Sequence, residues 1–214
     1  PDGRFPNHHP DPTVPENLTD LIRRVREVGA ALGIGFDGDA DRIGVVDRNG
    51  RMVYGDELLI VFARDVLREV PGATIVSEVK CSQRLFDDIA AHGGKGIMWK
   101  AGHSPIKAKM KETGAALGGE VSGHMFFADR YFGYDDAIYA ACRLVEILSR
   151  TGRHLDEKPA DLPPAHAAPE IRVDCPDAIK FAVVERAAEH FRQRGEIIDV
   201  DGVRVRFPHG WGLV

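Results

Sequence analysis

Two hydrophobic periods alternate between residues 56 and 150, and no other feature restricts the fold as much. Leu59, Phe62, Val66 and Val70 recur at helical spacing, Pro71-Gly72 stops that helix, and residues 74–79 follow as a β-branched strand. The pattern then repeats. Helices are expected over 82–91, 104–112 and 135–150, the last stopped by Gly152, and strands over 96–99, 115–117 and 125–127. Helices inserted between short strands build an α/β layer with a mixed, mostly parallel sheet.

The flanks are organised differently. Residues 1–15 carry five prolines and exclude a regular element, and a helix over 18–28 should bury Leu21, Ile22, Val25 and Val28 before Gly29 ends it. Residues 31–36 read as a buried strand and 43–46 as its return, with Asn49-Gly50 turning the chain into 52–54. Beyond a Pro- and Ala-rich connector over 154–169, a strand is expected at 170–173. An amphipathic helix over 177–194 follows, with Val184, Ala187, Ala188 and Phe191 inward, and then a hairpin of 197–200 and 203–207 about Asp201-Gly202. That last unit reads as an α+β domain one element short, and a first residue of Pro1 reads as an excerpt from a longer chain.

Composition narrows the function. A length of 214 residues suits one large domain or two modest ones. Twenty-eight basic against thirty-three acidic residues leave a formal charge of −5, which argues against a nucleic-acid coat protein. No apolar run approaches the roughly 18 residues of a membrane helix. Cys81, Cys142 and Cys175 are scattered and odd in number, as expected of reduced thiols in a cytoplasmic protein.

The sharpest motif is Asp37-Gly38-Asp39-Ala40-Asp41-Arg42 between two apolar runs. Carboxylates alternating with the smallest residues can wrap around one point; Gly38 permits backbone angles closed to other residues, and Ala40 adds no bulk. Three hard oxygen donors suit Mg²⁺. A solvated acidic turn is the plain alternative. An EF-hand would need Gly at Arg42 and Glu at Arg48 and fails at both. A haloacid-dehalogenase-type phosphatase, with Asp37 as nucleophile, stays open from this loop alone.

Three more polar loops stand where strands end, the usual place for ligands in α/β sheets. Lys80 follows the 74–79 strand and is suited to a phosphate or sugar oxygen. Lys100-Ala101-Gly102-His103-Ser104-Pro105 opens a helix, with Ser104 expected as N-cap and Pro105 as first helical residue. In Gly118-Gly119-Glu120-Val121-Ser122-Gly123-His124, the alternation directs Glu120, Ser122 and His124 one way if the segment is extended. Carboxylate, hydroxyl and imidazole make a hydrogen-bonding set for polyols, and His124 can also carry a proton. The spacing around Ser122 is not that of a hydrolase nucleophile elbow. His8 and His9 read as solvated, Arg130 as structural and Trp211 as a packed hairpin end.

In this order the four loops resemble the α-D-phosphohexomutase superfamily, in its bacterial phosphomannomutase/phosphoglucomutase branch, over essentially all 214 residues. The resemblance implies that Asp37, Asp39 and Asp41 hold Mg²⁺ and that Lys80, Gly102, His103, Glu120, Ser122 and His124 contact substrate. Arg42 would steady phosphoryl oxygens, and His124 would help deprotonate the attacking hydroxyl. The implied reaction interconverts mannose or glucose 1- and 6-phosphates through a phosphoserine and a hexose 1,6-bisphosphate.

Members of that family have four domains, with the serine in the first and an Arg-Ser-Asn-Thr phosphate loop in the fourth; neither motif occurs here. The implied division is 1–50 for the end of domain 2, 51–160 for domain 3 and 161–214 for an incomplete domain 4. The partners would then be phosphosugars and the missing domains of the same polypeptide, with neither nucleic acid nor membrane. The excerpt alone should be inactive. A metal- or sugar-phosphate-binding module without catalysis is the non-enzyme alternative.

Overall fold

The computed structural model describes residues 2–157, 162 and 171–214. The chain divides into two units, 1–162 and 163–214.

In the first unit residues 2–14 form no helix or strand. Among them Pro12 lies so close to Gly44 that a side chain there would meet its Cβ at 2.5 Å. A 3-10 turn at Pro15–Leu18 leads into α1 (Thr19–Val28), which ends at left-handed Gly29 as expected. Val25 is buried, close against Gly33, but Val28 is 53% exposed. Strands β1 (Leu32–Phe36), β2 (Ile43–Asp47) and β3 (Met52–Val53) make an antiparallel sheet in the order β1-β2-β3.

Helix α2 (Gly55–Glu69) starts the alternating region, followed by β4 (Thr74–Glu78), α3 (Gln83–Ala91), β5 (Lys95–Trp99), α4 (His103–Thr113), β6 (Leu117–Gly119), β7 (Met125–Phe127) and α5 (Ala137–Thr151). The four strands are ordered β5-β4-β6-β7; the first three are parallel and β7 is antiparallel to β6 at the edge. The expected mixed, mostly parallel sheet is therefore present. Strand alternation sorts the core onto its two faces. Ile75, Leu117 and Phe127 pack with α2 residues Leu59, Phe62 and Val66, with Leu85 and Ile89 of α3 and with Leu144 of α5. Val76 and Phe126 pack with Ile106 and Met110 of α4. Burial of this kind stabilises by roughly 25 cal/mol per Å² of apolar surface removed from water.

Three boundaries differ from expectation near the site. Ser82, expected as the first residue of α3, instead caps it, accepting from the Arg84 amide at 3.3 Å. Helix α4 begins one residue before Ser104, with Gly102 as N-cap and no side-chain cap, so Pro105 falls third in the helix, where its missing N–H still costs nothing. The strand expected at 115–117 is β6, shifted two residues onward by its pairing with Ile75–Ser77.

In the second unit, helix α6 (Lys180–Phe191) covers a sheet ordered β10-β9-β8, from β8 (Glu196–Ile198), β9 (Arg204–Phe207) and β10 (Gly210–Leu213). Val184, Ala188 and Phe191 meet Ile197, Val203 and Val205; Ala187, expected inward, is partly buried but lies outside that cluster. Residues 171–173 form no strand, while Glu170 and most of the expected connector, 158–161 and 163–169, lie outside the described residues. Trp211 does pack at a hairpin end, with the buried Arg204 guanidinium 3.9 Å above its ring. Among the described residues no helix is long and apolar enough to cross a membrane.

Candidate active site

Strands β4, β5 and β6 lie side by side and parallel, so their carboxyl ends deliver three loops to one edge of the sheet. Glu78 ends β4 and Lys80 follows it, Gly102 and His103 follow β5, and Glu120, Ser122 and His124 follow β6. The acidic loop joins them from the first sheet, because Arg42 and His124 form an antiparallel bridge and the Ile43 amide donates to Gly123 O at 3.1 Å.

Within the acidic loop Asp37 is the buried organiser. Its Oδ1 accepts from the Asp41 and Arg42 amides, both at 3.1 Å, and its Oδ2 accepts from Arg42 Nε at 2.7 Å. The chain reverses at Ala40, with φ of 62°, and not at Gly38. The Ala137 amide at the start of α5 donates to Ala40 O and helps hold that turn. Asp39 is exposed, and Asp37, Asp39 and Asp41 each offer an oxygen within 4.8 Å of the other two.

Charge in the loop is unevenly satisfied. Burial would raise Asp37, but the side-chain and backbone hydrogen bonds from Arg42 hold it below the usual carboxylate range. Burial raises Asp41, and the neighbouring Asp37 and Asp39 push it the same way. An all-oxygen donor set whose like charge Arg42 and His124 offset in part fits a hard divalent cation.

The loop over 118–124 converges by a route other than the extended alternation expected from its sequence. Past Gly119 the chain turns, with the Gly123 amide donating to Glu120 O at 3.1 Å, and Gly123 adopts φ of 97°. A Cβ at Gly123 would stand 2.4 Å from Ile43 O, and one at Gly55 would stand 2.4 Å from Glu120 O, so glycine lets β2 and α2 close on the turn from both sides.

The turn collects the three side chains. His124 Nδ1 is 2.9 Å from Glu120 Oε2 and 3.1 Å from Ser122 Oγ, and His124 Nε2 is 3.3 Å from Asp41 Oδ2. Glu120 Oε1 accepts from the Gly102 amide at 2.6 Å. His124 therefore bridges the acidic loop and the loop over 118–124. Burial alone would lower its pKa; the Glu120 hydrogen bond and the Asp41 and Asp135 carboxylates outweigh that and raise it. Burial would raise Glu120, but His124 and the Gly102 N–H bring it down.

Three charged residues escaped the sequence reading. Glu78 is buried, accepts the Val121 amide at 2.8 Å and pairs with half-exposed Lys80 at 3.5 Å; its pKa is raised by burial, which Lys80 opposes. Asp135 bonds Lys107 and faces His103. Lys107 stands four residues beyond His103 on α4, a spacing that could have flagged it; Glu78 and Asp135 had no such signal. Arg130 is structural, paired with Glu146, and His8 and His9 are exposed.

Adjacent parallel strands with polar loops gathered at their carboxyl ends are the arrangement of an α/β enzyme domain. Family models for phosphoglucomutase/phosphomannomutase match twice, α/β/α domain II over residues 1–50 and α/β/α domain III over residues 54–166. The chain belongs to the phosphoglucomutase/phosphomannomutase family.

A phosphomannomutase/phosphoglucomutase of Pseudomonas aeruginosa is 53% identical over 215 residues, covering 100% of this chain and 46% of that protein. A phosphoglucomutase of Neisseria gonorrhoeae is 48% identical, again with 100% of this chain and 47% of its own length covered. A solved family structure from Burkholderia thailandensis superposes with a TM-score of 0.89 at 45% identity, covering 99% of this chain and 45% of that one. The chain thus spans less than half the length of these relatives.

Proposed function

We propose that the chain supplies the metal- and sugar-binding portion of a hexose-phosphate mutase that interconverts hexose 1- and 6-phosphates, of mannose, glucose or both. The observation carrying this reading is the His124 bridge, which puts a three-carboxylate loop and a polyol-type donor–acceptor set on one edge of one sheet.

Phosphoryl transfer asks the protein for positioning and charge neutralisation more than for covalent chemistry. Asp37, Asp39 and Asp41 would hold Mg²⁺, which when bound supplies charge neutralisation at phosphoryl oxygens. Arg42, fixed by Asp37, keeps the loop closed and directs its charge toward the same oxygens. Glu120 and Ser122 hold sugar hydroxyls. Lys80, the Gly102 backbone and His103 bind the ligand's other polar groups. His124, in contact with both loops, takes the proton of the attacking hydroxyl.

The phosphoserine and the second phosphate clamp would belong to the portion of the relatives this chain does not span, and a hexose 1,6-bisphosphate would be the intermediate. Residues 1–50, 51–160 and 161–214 would then be the end of domain 2, domain 3 and part of domain 4 of a cytoplasmic enzyme. The phosphatase alternative is disfavoured: Asp37 is engaged by Arg42 and two amides, and it follows a strand of an antiparallel sheet.

In the intact enzyme Asp39→Ala should lower Mg²⁺-supported kcat/KM by on the order of 100-fold or more, since several kcal/mol of charge stabilisation are lost. Unchanged turnover would remove the metal-loop assignment. The 214-residue chain by itself should bind hexose phosphate without converting it, so that sustained conversion of mannose 1-phosphate by a clean preparation would refute the division of labour.

A further inference from the structure

Asp135 has no part in the mutase reading, yet its carboxylate stands beside that of Asp41 and the His124 ring. Its backbone pairs with Phe126 on the edge strand β7, and its side chain is 10% exposed. Lys107 Nζ donates to Oδ1 at 2.8 Å, and His103 Nδ1 stands 3.6 Å from Oδ2. His103 and Lys107 are one helical turn apart on α4, so one carboxylate serves both. The Lys107 ammonium is also held 6.0 Å above the Phe126 ring.

We propose that Lys107 and Asp135 form a positioning pair that sets the His103 ring for a hexose phosphate bound at the site. His103 opens α4 and its side chain is 54% exposed, so left alone it would sample several rotamers. A fixed carboxylate facing Nδ1 restricts the ring and directs Nε2 to the ligand. The His103 and His124 rings, 5.9 Å apart between centroids, then flank one space. Lys107 has a second task. A bare carboxylate beside a phosphate site would repel the ligand, and an ammonium at 2.8 Å cancels that charge. The ligand's identity rests on the mutase reading; the pairing itself does not.

The test is a double-mutant cycle in the intact enzyme, read as the Kd for hexose 6-phosphate by calorimetry. Asp135→Asn and Lys107→Met should each weaken binding about tenfold in the wild-type background and by less than about twofold in His103→Ala, the signature of coupled residues. Equal effects in both backgrounds, or none in the wild type, would overturn the proposal. If Asp135→Asn does not fold, Lys107→Met on the partly exposed helix face carries the same comparison.

Imidazole nitrogen-15 shifts of His103 need no ligand. They should show a protonated Nδ1 that is lost in Asp135→Asn, and identical shifts in both proteins would sink the pairing. Absent hexose-phosphate binding with the expected shifts would instead remove the mutase reading alone.

Discussion

Gly123 shows how much of the site hangs on single residues. Its φ of 97° and the 2.4 Å approach of Ile43 O to a Cβ placed there leave no room for a side chain. Gly123→Ala should cost roughly 1–3 kcal/mol, read as a lower denaturant midpoint for the unit that contains it, and should also loosen the Glu120–His124 contact. A midpoint equal to wild type would mean the turn can relax.

At this scale the sequence was legible where chemistry is written locally. Three aspartates at alternate positions declare themselves, and so do Glu120, Ser122 and His124 among small residues. The route of their convergence was not legible, because a turn through Gly123 and a strand both satisfy that spacing. Nor could Ala40 be told from Gly38 as the left-handed residue, since the Ala137 amide that holds it comes from 97 positions along the chain. Asp135 and Glu78 are ordinary acids until the sheet brings their partners to them.

Among elements, α2 and α5 are joined by charge as well as by apolar packing. Arg143, 3% exposed, bonds both oxygens of Asp129 at 2.9 Å and Asp65 Oδ2 at 3.3 Å, with its guanidinium 4.6 Å from the Phe127 ring centre. Among the described residues Asp65 keeps Arg68 and Arg150 if Arg143 is removed, whereas Asp129 keeps Arg130 at 4.0 Å. Arg143→Met should therefore destabilise by about 3–5 kcal/mol, the usual cost of stranding a buried charge. Asp129→Asn added to it should recover part of that loss in thermal unfolding; no recovery would point to lost packing instead.

Most helices and strands followed from periodicity, with errors chiefly at their ends, but β10 was not anticipated. Helix α4 starts early because Gly102 donates its amide to Glu120, a tertiary partner that no local cap rule contains. Residues 171–173 have strand-like composition but form no strand with any of the described residues.

For the whole molecule, alternation of the two hydrophobic periods was enough to define the layered sheet, since burying both faces of β4 and β6 requires helices on each side. The joining of the acidic loop to that sheet was not predictable from either part. It depends on the Arg42–His124 bridge, across which the antiparallel β1-β2-β3 sheet hands its loop to the carboxyl ends of β4, β5 and β6.

The most direct measurement is therefore paramagnetic broadening by Mn²⁺, which accepts the same oxygen donors as Mg²⁺. His124, 3.3 Å from Asp41, should lose its imidazole signals at substoichiometric Mn²⁺, and Asp39→Ala should abolish that effect. Sharp His124 signals at full metal occupancy, or broadening that Asp39→Ala leaves intact, would contradict a single shared metal and sugar site.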